Sequence, residues 1–389
     1  MERVPSAKKS ECACNILLAW RAVANGTTDK TQKAREKYWG HWTEYCRTFG
    51  IDPFLLRAKR LEAIVIAAGF AAKVRTGAYG KRNQIKVQGV AQALAAISKT
   101  IELAGEQSPI YTAPDTYILP IQRLIEGFRR EDPPPVPQLA VPVTVPMECH
   151  RIAIEGNDVK LLATSQLITI AFFYLLRVGE YTHPRYVKRQ GQLVRATRTK
   201  QFAVEDVGFF KDGKVLPRRS PLDLLLTADS ATMKISNQKN GRMGQTIHHE
   251  STDEKGAVAA LAKRVHHILS NGGTEQQLIC DYWTATGWAA VTSQDLIDFI
   301  RLAASSLKLD ESGIDSDLLG VHSLRAGGAM ALKLHGFSDT IIKKFGRWSS
   351  LTFLEYIHNQ IAHLSFGVAA RMSVPLPFVN IAVVEPANP

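Results

Sequence analysis

"HSLRAGGAMALKLHGFSDTIIKKFGRWSSLTFLEYIH", the stretch from His322 to His358, follows closely after Gly320 and reads as a series of helices. His322 and Arg325 are three residues apart, a spacing that places two side chains on one face of a helix. A helix N-terminus also offers unpaired N–H groups and the positive end of the helix dipole, which suit an anion. The spacing predicts an anion-binding pair, but the same two residues also fit a capped helix with a structural histidine.

The second half of this stretch carries aromatic residues. Tyr356 follows Trp348 after a break rich in serine and threonine, which predicts a new short helix that carries Tyr356. On these residues alone two interpretations stay open. Trp348 and Tyr356 are either core aromatics or parts of an active site.

Arg177 is a second unusual basic residue. It ends the uncharged stretch 161–176, which is shorter than the roughly 20 residues needed to span a bilayer and therefore predicts a buried helix. An arginine is costly to bury beside so apolar a segment unless it has an anionic partner. That partner is either a carboxylate, such as Glu180, or the phosphate of a ligand.

A lysine lies in the turn of a predicted β-hairpin. The sequence QKNGR at 238–242 is typical of such a turn between two β-like runs, and it contains Lys239. A lysine in a turn is usually just solvated. Lys234 competes with Lys239 as a functional lysine, but we prefer Lys239 because Lys234 should lie within the strand.

The composition indicates a folded protein with a polyanionic partner. The chain has 389 residues, enough for two or three domains, and its hydrophobic and charged fractions of 45% and 22% are typical of globular proteins. The net charge of +12 favours nucleic acid as the partner, with a membrane surface second. The five cysteines show neither a disulfide framework nor zinc spacing, which predicts reduced thiols in an intracellular protein without an export signal.

Proline divides the chain. The proline-rich segment Glu131–Pro146 predicts an extended connector, placed at 132–147. We expect a helical domain at 12–131, a mixed domain at 148–374 and a tail at 375–389 that contacts another protomer or is a disordered end. The expected fold class is mainly α with a small antiparallel β-sheet. The predicted helices are 30–49, 61–74, 87–103, 117–130, 161–177, 257–270, 293–307, 323–335, 339–345 and 352–363.

Two stretches, Lys73–Lys86 and Arg185–Gln201, are rich in basic residues and contain no acid. Each alone is more simply a solvated loop. Because one lies in each predicted domain, the two together could line a groove around a duplex and neutralise its phosphates. The candidate DNA-binding residues are Lys73, Arg75, Lys81, Arg82, Lys86, Arg185, Lys188 and Arg189.

Taken together, these pieces resemble the tyrosine recombinase (phage integrase) family. The resemblance covers about residues 148–365, and the helical N-terminal segment fits that family's core-binding domain in length and position. Variants carried by eukaryotic mobile elements are closest in style. The residues that carry the resemblance are, in chain order, Arg177-x-x-Glu180, the hairpin lysine, His322-x-x-Arg325, Gly346-Arg347-Trp348 and Tyr356.

The resemblance implies a reaction and roles for these residues. The two domains would form a clamp around DNA, and Tyr356 would attack a phosphodiester to give a 3′-phosphotyrosyl link and a free 5′-hydroxyl. Arg177 and Arg325 would stabilise the charge of the transition state, so that neither a metal nor another cofactor is needed. Lys239 would protonate the leaving oxygen as general acid.

The remaining roles follow from the same resemblance. His322 would assist proton removal from Tyr356 or bind the phosphate, Trp348 would supply an indole N–H and packing, and Glu180 would orient Arg177 or His322. The expected partners are double-stranded DNA and further copies of the chain in a tetrameric synapse. Two alternatives stay open: a type IB topoisomerase that relaxes supercoils, and a DNA-binding protein that has lost catalysis. Integration, excision and transposition are not distinguished.

Overall fold

The computed structural model divides the chain into two compact units, one within Met1–Pro135 and the other within Val136–Pro389. No helix in the described part of the chain combines the length and the apolar character needed to cross a bilayer. The structure describes residues 9–27, 29–80, 84–134, 139–184, 186–189, 192–195, 199–236, 244–252, 256–348, 350–351 and 353–354.

In its described residues, the first unit contains helices and one short β-hairpin. Its core is a cluster of buried apolar side chains centred on Trp42, Phe70, Leu94 and Ile121, contributed by four of its helices. The indole N–H of Trp42 donates to the carbonyl of Pro53, which satisfies its one polar atom. The elements are α1 (Lys9–Asn25), α2 (Asp29–Phe49), α3 (Arg60–Arg75), α4 (Val87–Leu103), β1 (Tyr111–Ala113), β2 (Thr116–Tyr117) and α5 (Leu119–Glu131).

The second unit combines eight described helices with small antiparallel sheets, so the predicted fold class is confirmed. Its helices are α6 (Thr144–Gly156), α7 (Val159–Phe173), α8 (Val178–Tyr181), α9 (Leu222–Leu226), α10 (Ala257–Ser270), α11 (Ser293–Ser306), α12 (Val321–Leu334) and α13 (Asp339–Phe345). Its strands are β3 (Tyr186–Arg189), β4 (Gln192–Arg195), β5 (Val207–Lys211), β6 (Lys214–Leu216), β7 (Ser230–Lys234), β8 (Thr246–Glu250), β9 (Asp281–Thr284) and β10 (Gly287–Ala290). Three short 3-10 helices lie at Val204–Asp206, Leu309–Ser312 and Ser316–Leu318.

A four-stranded sheet in the order β6-β5-β7-β8 is the largest sheet described. The β5–β6 hairpin turns at Asp212 and Gly213, both with positive φ, as the twist of a two-residue hairpin requires. The inner face of β7 and β8 packs on the core through Ala231, Met233 and Ile247. Two further two-stranded hairpins, β3–β4 and β9–β10, accompany this sheet.

Helix α7 lies at the centre of this unit. It contacts α6, α10, α11 and α12, and its residues from Leu167 to Phe172 are buried. Asp158 caps its N-terminus by accepting a hydrogen bond from the N–H of Leu161 at 2.8 Å. The predicted buried helix therefore forms, but it ends at Phe173 and not at Arg177. The chain turns at Leu175, which has a φ of +49°.

The predicted connector is shorter in the structure than the prolines suggested. Helix α6 begins at Thr144, so the last residues of the segment are helical. Pro146 lies in the first turn of α6, where its missing N–H would have had no partner within the helix. Residues 135–138 lie outside the described part of the chain.

Candidate functional site

The turn after α7 builds the first part of the site. Leu175 and Leu176 are buried, and Arg177 precedes α8 with an extended backbone. The carboxylate of Glu180, in the first turn of α8, accepts a hydrogen bond from the backbone N–H of Arg177 at 2.8 Å. The R-x-x-E spacing read from the sequence is thus a helix cap, which fixes Glu180 beside the arginine that precedes it.

Glu180 is buried and binds two guanidinium groups. Its Oε1 lies 3.2 Å from Nη1 of Arg177 and 3.2 Å from Nη1 of Arg347, and its Oε2 lies 3.1 Å from Nη2 of Arg347. Arg177 also donates to the backbone carbonyl of Arg347 at 3.4 Å. Arg347 is almost fully buried, whereas the side chain of Arg177 is 24% exposed. Arg177 is therefore the member of this trio that reaches solvent.

Arg325 enters the same region from α12. Its Nη1 donates to the carbonyl of Leu175 at 2.6 Å, and its Nη2 donates to the carbonyl of Gly346. Nη2 of Arg347 donates to the same Leu175 oxygen at 3.0 Å. One carbonyl, released from the helix by the turn at Leu175, therefore holds two guanidinium groups side by side.

Two glycines allow α12 to approach this turn. A Cβ atom on Gly327 would collide with the carbonyl of Val141, and one on Gly328 would collide with the carbonyl of Phe172. The sequence R-A-G-G therefore places Arg325 close to the end of α7, because no side chain separates the two backbones.

The Gly-Arg-Trp turn follows α13 and closes the site. Arg347 has a φ of +58°, an uncommon conformation for a residue other than glycine. A Cβ atom on Gly346 would collide with the indole of Trp348. That indole lies under the guanidinium of Arg325, whose Cζ is 4.3 Å from the ring centroid, and packs on Phe353.

His322 lies on α12, one helical turn before Arg325. His322 is exposed at the surface, but the protein around its ring still removes part of its water. This desolvation and the charge of Arg325 lower the pKa of His322 below its ordinary value of 6.5. The imidazole is therefore neutral at neutral pH, and a neutral imidazole can accept a proton.

The other predicted catalytic residues are not all described. Tyr356 and Lys239 lie outside the described residues, so their positions stay predictions. The competing Lys234 is exposed at the end of β7 and alternates with the buried Met233, which places it on the face of the strand that points away from the core.

The predicted DNA-binding residues fall into three groups. Lys73 and Lys86 are exposed on the first unit. Arg75 is buried and forms an ion pair with Asp132, and it also donates to the carbonyl of Ile85 at 2.7 Å, so it joins α3 to α5 inside the unit. Its guanidinium is not part of the exposed surface. Lys81, Arg82 and Arg185 lie outside the described residues, as do the side chains of Lys188 and Arg189 on β3.

The motif Gly346-Arg347-Trp348 contains Arg347, but sequence reasoning gave this residue no role in the site. Nothing in its spacing separates it from a solvated arginine. Burial lowers the pKa of Arg347, and Glu180 opposes that shift. The guanidinium stays charged at neutral pH, because arginine does not lose its proton in proteins.

The charges of Arg177, Arg347 and Glu180 together favour binding of an anion. Arg177 and Arg347 share one carboxylate, which leaves an excess of one positive charge beside the opening where Arg177 reaches solvent. Arg325 adds a further fixed fork of N–H groups, and planar guanidinium groups bind phosphate oxygens in pairs. Within the described ranges, no group of three or more His, Cys, Asp or Glu side chains is arranged to hold a metal ion.

Comparison with known proteins gives structural likeness without sequence likeness. No protein-family model and no curated protein sequence matches the chain. Similar solved structures include the Tn1549 transposon integrase in complex with circular intermediate DNA, with 12% identity and a TM-score of 0.44 over 88% of this chain and 94% of that one.

Two further similar structures are recombinases. The XerH site-specific recombinase bound to palindromic difH substrate has 15% identity and a TM-score of 0.46, over 80% of this chain and 72% of that one. The XerA recombinase has 12% identity and a TM-score of 0.36, over 88% of this chain and 100% of that one. All three similar structures are tyrosine recombinases. With TM-scores below 0.5, function has to be inferred from the residues of this chain.

Proposed function

We propose that this chain is a DNA strand transferase, a site-specific recombinase that cuts and rejoins DNA through a covalent link to Tyr356. One observation carries the proposal: Arg177, Arg325 and Arg347 converge on the carboxylate of Glu180 and the carbonyl of Leu175. Arg177 comes from a stretch of sequence far from the one that holds Arg325 and Arg347. A protein that merely needed a stable core would not gather guanidinium groups there, because burying them is costly.

The proposed reaction is a transesterification at phosphorus. The phenol oxygen of Tyr356 forms a bond to the phosphorus, and the bond from phosphorus to the 5′-oxygen breaks. The phenol proton passes to the neutral imidazole of His322 or to water, and the 5′-oxygen takes a proton from Lys239. The 5′-hydroxyl of a partner strand then attacks the phosphotyrosine and releases Tyr356. The number of phosphoester bonds is conserved, so the reaction needs no external energy source.

The guanidinium cluster would bind the non-bridging oxygens of the reacting phosphate. We propose that Arg177 and Arg325 contact them: the side chain of Arg177 reaches solvent, and two carbonyls fix the position of the buried Arg325 beside it. Glu180 and the carbonyl of Arg347 would hold the guanidinium of Arg177 in position. A preorganised cluster of this kind stabilises the transition state most, because negative charge on the phosphate oxygens develops there. Trp348 would support Arg325 through its ring face.

DNA is the proposed partner, and several copies of this chain would bind it together. The net charge of +12 and the exposed Lys73 and Lys86 favour a polyanion. Strand exchange joins two sites, so we propose a tetrameric synapse, with the tail at 375–389 contacting a second protomer. The mass of the complex with DNA, measured by light scattering with and without this tail, tests that assembly. Loss of the tail should leave a monomer on each half-site.

The nucleophile can be tested before the target sequence is known. The purified chain is incubated with sheared genomic DNA from its source organism, and covalent complexes are recovered by precipitation with potassium and dodecyl sulfate and then sequenced. We expect recovered fragments to share one site. Tyr356→Phe should abolish the adduct while retaining DNA binding, and Tyr282→Phe, in the same unit, should leave the adduct unchanged. An adduct that survives Tyr356→Phe would show that another residue is the nucleophile.

The recovered site also separates recombination from relaxation. Two copies of it in one plasmid should give deletion or inversion products in a recombinase. Relaxed plasmid without rearrangement would indicate a type IB topoisomerase instead, and binding without any adduct would indicate a DNA-binding protein without catalysis.

A further inference from the structure

The β7–β8 hairpin presents one face to the site. Along β8, Ile247 points into the core and His249 lies on the same side, whereas His248 and Glu250 are exposed. His249 is paired with Ala231 across the ladder. The chain between the two strands contains Lys239 in its sequence. His249 is therefore the polar residue of β8 that faces inward.

Three aromatic residues surround His249. Its Nε2 lies 2.7 Å from the carbonyl oxygen of Phe173, and because this oxygen can only accept, Nε2 carries the proton. The imidazole meets the rings of Tyr174 and Phe345 edge to face, at 4.6 Å and 4.9 Å between centroids. His249 thus touches the end of α7 and the end of α13 at the same time.

These two helix ends lead directly into the guanidinium cluster. Tyr174 is followed by Leu175, and Phe345 is followed by Gly346; the carbonyls of Leu175 and Gly346 both accept from Arg325. Tyr174 also donates from its hydroxyl to the carbonyl of Ala231 at 3.1 Å. The hairpin and the end of α7 are therefore joined by two hydrogen bonds, one donated from each side.

We propose that His249 is a positioning residue, which holds the β7–β8 hairpin in register with the two backbone segments that orient Arg325 and Arg347. The inference rests on the proposed function, because the register matters when a group on the hairpin and the arginines must act on one phosphate. A displacement of about 1 Å in such an arrangement is enough to slow a reaction by roughly a hundredfold. Burial also lowers the pKa of His249, so its ring is neutral and needs no counter-charge in this setting.

Replacing His249 with asparagine or with glutamine distinguishes the contribution of the Nε2 hydrogen bond from that of the packing of the ring. Glutamine can place its amide nitrogen near the position of Nε2, whereas the shorter asparagine reaches only the position of Nδ1. We expect His249→Asn to slow formation of the covalent adduct by about tenfold to a hundredfold with an unchanged dissociation constant for DNA, and His249→Gln to retain most of the rate. His248→Asn, on the exposed face of the same strand, is the matched control and should cleave like the unmodified chain.

A substrate with sulfur at the bridging 5′ position shows whether the general acid on the hairpin has been displaced. A thiolate leaves without help from a general acid, because a thiol is far more acidic than an alcohol. If the hairpin has lost register, the defect of His249→Asn should largely disappear on this substrate. A defect of equal size with sulfur and with oxygen would overturn the proposal, as would an asparagine variant that cleaves normally.

Lys239→Met, measured on both substrates, distinguishes this inference from the proposed function. If sulfur rescues Lys239→Met but not His249→Asn, only the role of His249 fails. If sulfur does not rescue Lys239→Met, the general acid has been wrongly assigned. In that event the contrast between His249→Gln and His249→Asn in cleavage rate, at equal DNA affinity, decides about His249. Melting temperatures of all variants show that each is folded.

Discussion

Arg347 and Glu180 form a two-pronged ion pair in the interior of the second unit. Nη1 of Arg347 lies 3.2 Å from Oε1 of Glu180, Nη2 lies 3.1 Å from Oε2, and each side chain is 3% exposed. The same carboxylate holds Arg177 at 3.2 Å. Removing one member of a buried pair leaves the other charge without compensation, so this contact should matter for folding as well as for function.

Arg347→Met should therefore destabilise the chain strongly. We expect a loss of about 3–5 kcal/mol in the free energy of unfolding, because the carboxylate of Glu180 would keep only the contact with Arg177. Unfolding in urea measures it. Arg151→Met is the matched control: Arg151 is exposed and pairs with Glu148 and Glu155, so its loss should leave the free energy of unfolding nearly unchanged.

Removing both partners gives a second check. The double variant Glu180→Gln with Arg347→Met should lose less stability than the two single variants added together, because the uncompensated charge is gone. Strictly additive losses would mean that the two side chains do not interact as the geometry indicates.

Gly346→Ala should displace Trp348. The added methyl group would overlap the indole, so the ring must move away from the guanidinium of Arg325, at a cost of about 1–3 kcal/mol. Cleavage should fall together with the melting temperature. Gly127→Ala is the control, because Gly127 lies within α5 with open space around it, and the change should be neutral or stabilising by about 0.5–1 kcal/mol. Equal effects of the two changes would contradict the steric argument.

The sequence predicted those helices whose ends carry their own signals. The periodic pattern located α10 at Ala257–Ser270 and α13 at Asp339–Phe345, as the structure has them. The predicted end of α7 was wrong, because the apolar pattern continues through Tyr174, Leu175 and Leu176. What ends the helix there is tertiary: the carbonyl of Leu175 binds Arg325 and Arg347, and those arginines come from distant sequence.

The same distinction applies to the site. The spacing of the motifs singled out Arg177, Arg325 and Trp348, and the structure places these residues in one region, although their catalytic roles stay predictions. It gave Arg347 no role, because the burial of that residue depends on its contacts with Glu180 and with the carbonyl of Leu175, which are distant in sequence. The positions of Tyr356 and Lys239 stay predictions from sequence.

Two basic residues near the end of α3 should have different roles: Lys73 should contact DNA, and Arg75 should stabilise the first unit. Lys73 is exposed, whereas Arg75, two residues later, is buried against Asp132, whose pKa it lowers through their hydrogen bond. Lys73→Met should reduce the slope of log Kd against log salt concentration by about 1, as expected for one lost phosphate contact.

Arg75→Met should instead lower the melting temperature and leave that salt slope unchanged. Fluorescence anisotropy with a labelled duplex at several salt concentrations measures the slope. Lys99→Met is a control for charge alone, because Lys99 is engaged with Glu102 on α4. If Arg75→Met changed the slope and Lys73→Met did not, the two roles would have to be exchanged.

His267 should make the second unit less stable in acid. Its Nε2 accepts a hydrogen bond from the backbone N–H of Trp283 at 2.9 Å, which requires a neutral ring. Burial, followed by the charges of Arg264 and His266, lowers the pKa of His267 from 6.5 to about 4. The unfolded chain therefore binds a proton that the folded chain does not between these two values, so this share of the stability is present above pH 6.5 and is lost as the pH falls towards 4.

The size of that loss is about 1–3 kcal/mol, and urea unfolding from pH 7 to pH 4 measures it. His267→Gln should flatten the decline, because the glutamine carbonyl still accepts from Trp283 and does not titrate. At pH 7 this variant should stay close to the unmodified chain, whereas His267→Leu should lose about 1 kcal/mol through the unpaired N–H. The difference between the curves of the unmodified chain and His267→Gln isolates the share of His267. Parallel curves for these two proteins would show that His267 carries no part of the acid sensitivity.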